Sequence, residues 1–291
     1  MASPRAVNGT VGIHHGDNLD VARRLPDGAF TLVYLDPPFN TGRTRTRGVD
    51  APEAPPEVSD EVATVSRRGF RGQEYVSLRG DLRVYDDRFD DYWGFLEPRL
   101  IEAWRLLAED GTLYLHLDYR EVHYAKVMLD ALFGRDRFLN EIVWAYDYGA
   151  KTRRRWPTKH ETILVYVKDP ERYWFDGDAV DREPYMAPGL VTAEKAARGK
   201  LPTDVWWHTI VPTTGRERTG YPTQKPEGIL RRIVQASSRP GDAVLDLFAG
   251  SGTTGAVASA LGRNAVLVDA NPEAIAVMTA RIPHATLLPT P

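Results

Sequence analysis

Val244-Leu245-Asp246-Leu247-Phe248-Ala249-Gly250-Ser251-Gly252-Thr253-Thr254-Gly255 reads as a strand that runs into a helix through glycines. Gly250 and Gly252 have no side chain, so backbone can approach a ligand closely there. A helix starting near Thr253 would point its free N–H groups at that ligand. Seventeen residues after Gly252, Asp269 closes the next short strand. A carboxylate there can accept both ribose hydroxyl hydrogens of a nucleoside cofactor. The plain alternative is a tight strand–helix turn with no ligand, and the strand context together with Asp269 weighs against it. Gly250 to Gly255 also fits the dinucleotide fingerprint G-x-G-x-x-G, so a nicotinamide-dependent oxidoreductase competes on this motif alone. A P-loop does not, because Thr253 stands where its lysine is needed.

Regular elements extend in both directions from this loop. Helices are expected over Pro226 to Ser237, Thr253 to Leu261 and Pro272 to Arg281, with strands at Ala243 to Leu247 and Ala265 to Val268. Upstream, Phe30 to Leu35 is a short apolar run of β-formers. Leu19, Ala22 and Leu25 before it have helical spacing. Asp91 to Leu107 has helical periodicity, and Gly111 is placed to end that helix. A strand at Thr112 to Leu117, a helix at Glu121 to Phe133 stopping at Gly134, and strands at Ile142 to Ala145 and Thr162 to Val167 follow. The alternation predicts an α/β fold, a doubly wound and mostly parallel sheet with helices on both faces.

Two stretches do not fit the alternation. Thr41 to Asp90 is rich in charge, Gly and Pro, and is expected to be a mobile insertion in a single domain spanning 1–291. Asp169 to Gly220 is polar, contains Trp and Pro, and resists assignment.

The chain of 291 residues is 42% hydrophobic and 26% charged, ordinary for a globular protein. No apolar run approaches the roughly 20 residues needed to cross a bilayer. Met1 to Thr10 lacks the apolar core of a secretory signal, so a cytoplasmic location is expected. There are no cysteines, which excludes disulfides, thiolate metal sites and a cysteine nucleophile. No metal is expected. The formal net charge of −3 means that any phosphate-binding surface must be local. Lys151 to His160 is the candidate: Lys151, Arg153, Arg154, Arg155 and Lys159 fall in it with no acid. A solvated basic loop is the bland reading of the same run.

Asp36-Pro37-Pro38-Phe39 follows the Phe30 to Leu35 strand directly. In doubly wound sheets, ligands bind beyond the carboxyl ends of strands. The prolines stiffen the turn and remove backbone donors, so the stretch mainly accepts hydrogen bonds. An aromatic amine is a poor nucleophile because its lone pair is delocalised into the ring. The Asp36 carboxylate and the Pro37 carbonyl can bind its two N–H groups, draw nitrogen towards tetrahedral geometry, and free the lone pair to attack a methyl sulfonium. Phe39 would stack on a base that has left its duplex. The competing reading is a proline-rich strand exit with a solvated Asp.

Asp36-Pro37-Pro38-Phe39, Tyr221-Pro222-Thr223-Gln224-Lys225-Pro226 and Phe248 to Thr254, in that order, resemble the beta class of DNA amino-methyltransferases over nearly the whole chain. The resemblance is weakest over 41–90 and 169–220. It implies a class I, Rossmann-like fold with circularly permuted motif order and a seven-stranded sheet. It implies S-adenosylmethionine as cofactor and double-stranded DNA as partner. A homodimer and a cognate restriction enzyme stay open as further partners, since relatives are often dimers and no interface stripe stands out. Residue by residue, Asp36, Pro37, Pro38 and Phe39 match the catalytic turn, whose aromatic is often Tyr in the family and is Phe39 here. Gly16-Asp17 matches a motif whose acid contacts the cofactor adenine, while Asp17 also suits a helix N-cap. Thr223, Gln224 and Lys225 match the segment beside the methionine portion. Asp246 lies in the glycine loop, whose Phe248, Ala249, Gly250, Ser251, Gly252 and Thr253 match the surround of that portion, and Asp269 matches the ribose acid. Asp at position 36 favours N6 of adenine, with N4 of cytosine as the alternative. Cytosine ring-carbon methylation needs a cysteine and is excluded. The nicotinamide-dependent oxidoreductase and a catalytically silent DNA-binding subunit remain the competing classes. The 169–220 region is expected to read the target sequence.

Overall fold

The structure, a computed structural model, describes residues 8–40, 45–46, 49–52, 65–68, 74–78, 84–85, 91–149 and 151–289. The chain divides into two compact units, Met1–Phe39 with Asp91–Pro291, and Asn40–Asp90. The strands are β1 (Val11–His15), β2 (Phe30–Leu35), β3 (Arg45–Thr46), β4 (Val49–Pro52), β5 (Val65–Arg68), β6 (Glu74–Leu78), β7 (Val84–Tyr85), β8 (Leu107–Leu117), β9 (Phe138–Ala145), β10 (His160–Val167), β11 (Val205–Trp207), β12 (Ala243–Asp246), β13 (Asn264–Asp269) and β14 (Thr286–Leu288). The helices are α1 (Asn18–Ala22), α2 (Tyr92–Leu106), α3 (Val122–Phe133), α4 (Ala193–Arg198), α5 (Glu227–Ser237), α6 (Thr253–Ala260) and α7 (Pro272–Arg281). In the smaller unit, β3 pairs with β7 and β6 lies between β4 and β5, all antiparallel. The mobility expected of 41–90 concerns residues most of which lie outside those described.

The larger unit is built on a nine-stranded sheet in the order β11-β9-β10-β8-β2-β12-β13-β1-β14. Only β10 runs against the rest, pairing antiparallel with β8 and β9. Seven strands form the body, and three-residue strands β11 and β14 extend its two margins. Leu32, Val33, Tyr34 and Leu35 of β2 are all buried. Successive strand residues point to opposite faces, so both faces of the sheet are covered. Leu32 and Tyr34 share a core cluster with Ile229, Leu230, Ile233 and Val234 of α5.

Local chemistry accounts for the element ends that matter. Asp91 caps α2 by accepting from Gly94 N at 2.8 Å, and Leu96, Leu100, Ala103 and Leu106 form its buried stripe. Gly134, at φ 98°, ends α3 as expected. Gly111 does not end α2. The helix stops at Leu106, and Gly111 lies inside β8. Leu107 pairs with Phe30 and Thr112 with Leu32, so residues 108–111 bulge from the ladder. A Cβ on Gly111 would meet the Leu107 side chain at 2.8 Å and the Ala108 carbonyl oxygen at 2.9 Å, which explains the glycine in that bulge. No helix among the described residues is long and apolar enough to cross a membrane.

Candidate active site

From β2 the chain moves on to β8 on one side, and from β12 it moves on to β13 on the other. The strand order therefore reverses between β2 and β12, which are adjacent and parallel with Asp246 opposite Tyr34. A crevice for ligand opens beyond the carboxyl ends at such a point. Asp36 leaves β2 there, and the glycine loop leaves β12 there.

The Asp36 side chain is 16% exposed, and its Oδ1 lies 3.0 Å from Lys225 Nζ. Burial pushes its carboxyl up, while the Lys225 ammonium and His116 oppose that rise. Lys225 Nζ also lies 3.1 Å from Glu161 Oε2, and 4.5 Å from the centre of the Phe39 ring. His116 Nε2 lies 3.0 Å from the same Glu161 oxygen. The Tyr34 hydroxyl and His116 Nδ1 are 2.8 Å apart.

The loop after β12 is held by its own acid. Asp246 Oδ1 accepts from Phe248 N at 3.0 Å, and Oδ2 accepts from the Thr254 hydroxyl at 2.6 Å. Both oxygens of this buried carboxylate thus pin the turn. Gly250 (φ 49°) and Gly252 (φ 73°) are in the left-handed region that glycine favours. A Cβ on Gly252 would meet Met278 Cγ at 2.7 Å, so this glycine is needed for packing against α7 as well as for the turn. Gly252 starts α6 with no side-chain cap, leaving the helix amino end to other acceptors. Thr253 Oγ1 donates to the Lys225 carbonyl, and Ser251 and Ala249 are buried beside it. Phe248 packs against Phe95, ring centres 6.1 Å apart.

Asp269 and Asp17 lie at the ends of the neighbouring strands β13 and β1, which pair His15 with Asp269. Asp269 accepts from Gly250 N and Asn271 N, both at 2.8 Å, and burial raises its carboxyl against these bonds. Asp17 is the N-cap of α1, its Oδ1 accepting from Leu19 N at 2.8 Å. Its Oδ2 pairs with the buried Arg99 at 2.8 Å. Thr223 is exposed at φ 64°. Gln224 is spent on its own loop, accepting from Thr219 and donating to the Glu217 carbonyl. Lys225 therefore meets the glycine loop through its carbonyl, while its ammonium turns to the Asp36 side.

The basic run forms the β9–β10 connection. β9 runs in the same direction as β2, so this loop lies at the sheet edge that carries Asp36. Lys151, Arg153, Arg154 and Arg155 are exposed, as is Trp156 at 93%. Arg155 donates to the Tyr119 hydroxyl at 3.2 Å. Lys159 Nζ donates to the Asp147 and Gly149 carbonyls, closing the loop on itself.

Sequence reading passed over Tyr34, Arg99, His116 and Glu161. A signal existed for two of them: His116 interrupts the apolar run of β8, and Glu161 opens the apolar run of β10. An ionisable group in a strand buried on both faces needs a partner.

A switch-point crevice with a glycine-lined loop and acids on the adjoining strand ends defines a Rossmann-like, class I methyltransferase. The DNA methylase family matches residues 30–280, and the chain belongs to it. It is 31% identical over 271 residues to the DNA adenine methyltransferase YhdJ of Escherichia coli K12, covering 90% of this chain and 79% of that protein. It is 32% identical over 260 residues to the type II methyltransferase M.HpaI of Haemophilus parainfluenzae, covering 89% of this chain and 70% of that one. Among solved structures, the M1.HpyAVI–SAM complex superposes with TM-score 0.59 at 19% identity, covering 94% of this chain and 99% of that one. The cytosine-N4-specific PvuII DNA methyltransferase superposes with TM-score 0.61 at 17% identity, covering 95% and 88%. The protein is thus a DNA amino-methyltransferase dependent on S-adenosylmethionine.

Proposed function

We propose that the protein methylates N6 of adenine in double-stranded DNA, at a base turned out of the duplex into the crevice beside Asp36. The observation that carries this reading is the Asp36 carboxylate at the end of β2, with one oxygen held by Lys225. The acid at this position, followed by two prolines, favours adenine over cytosine N4. The E. coli relative named for adenine points the same way. The PvuII likeness is one of fold and does not bear on the base.

The chain fits the cofactor. The glycine loop is pinned open by Asp246, the amino end of α6 carries no side-chain cap, and Asp269 and Asp17 border the same sheet edge. Asp269 would hold the ribose, Asp17 the adenine, and the segments Thr223 to Lys225, with Lys225 taking part through its backbone alone, and Phe248 to Thr253 the methionine portion. Bound S-adenosylmethionine supplies an electrophilic methyl group on a sulfonium. Asp36 Oδ2 and the Pro37 carbonyl accept the two amine hydrogens and orient the nitrogen lone pair. Asp36, its carboxyl raised by burial, would hold the proton that nitrogen sheds when its lone pair takes the methyl group and the carbon–sulfur bond of the cofactor breaks. Phe39 stacks on the base.

The β9–β10 loop supplies phosphate contacts through Lys151, Arg153, Arg154, Arg155 and Lys159. The 169–220 region reads sequence, and the 40–90 unit is an insertion in a single methyltransferase domain that works in the cytoplasm. Incubation with unmethylated bacterial genomic DNA and S-adenosylmethionine, then mass spectrometry of the released nucleosides, tests the reading. N6-methyladenine is expected. N4-methylcytosine in its place overturns the choice of base.

A further inference from the structure

Tyr34 on β2, His116 on β8 and Glu161 on β10 belong to three consecutive strands of the sheet. Tyr34 pairs with Tyr114 and His116 with Ile163, so strand alternation puts all three on one face. Lys225 closes the row from the segment before α5. We propose that Lys225, Glu161 and His116, anchored by Tyr34, are positioning residues, a buried row of hydrogen-bonded groups that clamps Oδ1 of Asp36 through Lys225 and leaves Oδ2 for the target amine. The proposal rests on the reading of Asp36 as the amine's acceptor.

The direction of each bond follows from the chemistry. Burial alone would raise the Glu161 carboxyl, but Lys225 and His116 outweigh it and hold Glu161 well below the usual carboxylate range. An ionised carboxylate only accepts, so His116 Nε2, 3.0 Å away, donates to it. On the other side of the ring, Nδ1 lies 2.8 Å from the Tyr34 hydroxyl, which anchors it. Burial, together with Asp36, Asp246 and Glu161, keeps that phenol protonated. Lys225 donates to Glu161 and Asp36. Burial would lower its ammonium, but the two carboxylates outweigh burial and keep it charged. Glu161 thus accepts from both sides, and Lys225 bridges it to Asp36, where the row ends.

Stability does not explain such a row. A buried ion cluster carries a desolvation penalty that a well-packed apolar group avoids. Placement against the catalytic turn does explain it. Lys225 passes 4.5 Å from the centre of the Phe39 ring, so one side chain braces both the acceptor and the stacking residue.

The test has two independent arms. The first follows the Asp36 carboxyl by 13C NMR against pH, assigned with Asp36→Asn. Around it stand Tyr34, His116, Glu161, Lys225 and Asp246, so the substitutions are chosen for opposite signs. Lys225→Met removes the attracting cation and should raise the Asp36 midpoint. Glu161→Gln removes a repelling anion and should lower it. A midpoint unmoved by both overturns the clamp, and this arm needs no activity. Should Lys225→Met fail to fold, Lys225→Gln, which also removes the cation but keeps a polar end, makes the same measurement. The second arm is methyl transfer to unmethylated genomic DNA. Lys225→Met should lower kcat by about 100-fold, as misplacement of a reacting group does. Lys225→Arg should restore part of that loss, and affinity for S-adenosylmethionine should stay near wild type. Lost cofactor affinity with kcat kept at saturation assigns Lys225 to the cofactor and overturns the proposal. Opposite Asp36 shifts together with full activity of Asp36→Ala would leave the clamp in place and overturn the role of Asp36 beneath it.

Discussion

Asp36 and Asp246 are both buried carboxylates at the ends of adjacent strands, yet their partners give them different work. Asp36 meets Lys225 with one oxygen, whereas both oxygens of Asp246 are taken by its own loop. On the proposed role of Asp36 as the amine's acceptor, Asp36→Ala should abolish methyl transfer and leave cofactor binding near wild type. Asp36→Asn should be severely impaired, since a neutral acceptor replaces a charged one. A radiolabelled methyl assay with an equilibrium binding control checks both. Asp246 leads to a pH prediction. Burial pushes its carboxyl up to about 7, against the bonds from Thr254 and Phe248. A folded-state value above the unfolded one favours the folded protein while the acid is protonated. That contribution is complete below about pH 4 and is lost as pH rises through 7, on the order of 4 kcal/mol at most. Asp246→Asn removes the titration. Its urea stability relative to wild type should therefore improve between pH 5 and pH 8, and an identical gap at both pH values would show that Asp246 does not titrate in this window.

At the scale of elements, the β9–β10 connection is the clearest case of position giving meaning to composition. Five cations in ten residues are usually a solvated loop. Here the loop lies at the Asp36 edge of the sheet, Lys159 closes it, and Arg153 and Arg154 are exposed. Replacing Arg153, Arg154 and Arg155 with Ala should weaken DNA binding similarly across sequences. It should also lower the salt slope by about one unit for each phosphate left without its cation. Titrations at several salt concentrations read both quantities, and a wild-type affinity and slope would reduce the segment to a solvated loop. A change in which sequence is methylated would make it a reader of bases instead.

At the scale of the molecule, the crevice is a product of strand order. The acids of β1 and β13, the glycine loop of β12 and the turn of β2 reach one edge because the strands bearing them are parallel neighbours. A ligand spanning them binds only the folded chain. S-adenosylmethionine at about 100 times its Kd should therefore stabilise the protein by about 2.7 kcal/mol, seen as a rise in Tm. If Asp269 is the acceptor for the ribose as proposed, Asp269→Ala should lower affinity by about tenfold or more. At a fixed cofactor concentration its Tm should then rise less. NAD should leave Tm unchanged, and stabilisation by NAD in place of S-adenosylmethionine would restore the oxidoreductase reading.

Much of this was legible in the sequence because it is local. Strand–helix alternation, the Asp36 turn and the glycine loop depend on residues within a few positions of one another. So do the stops at Gly134 and near Arg281. Gly111 misled because a glycine after a helical run and a glycine in a strand bulge look alike until the partner strand is known. Asp17 was legible in both of its readings, and its cap is local, but its pairing with Arg99 spans 82 residues. The partners of Lys225 are scattered as well, one upstream in β10 and the other at the end of β2. Asp36, Glu161 and Lys225 lie far apart in the chain, and neighbouring residues carry no mark of which carboxylates one ammonium will bridge. The sequence alone therefore marked most of the helices and central strands, though not β1, β11, β14 or α4, and the residues that stand at the strand ends. Tertiary structure decided which buried charges meet, because a charge taken from water must find its partner across whatever strands the sheet sets side by side.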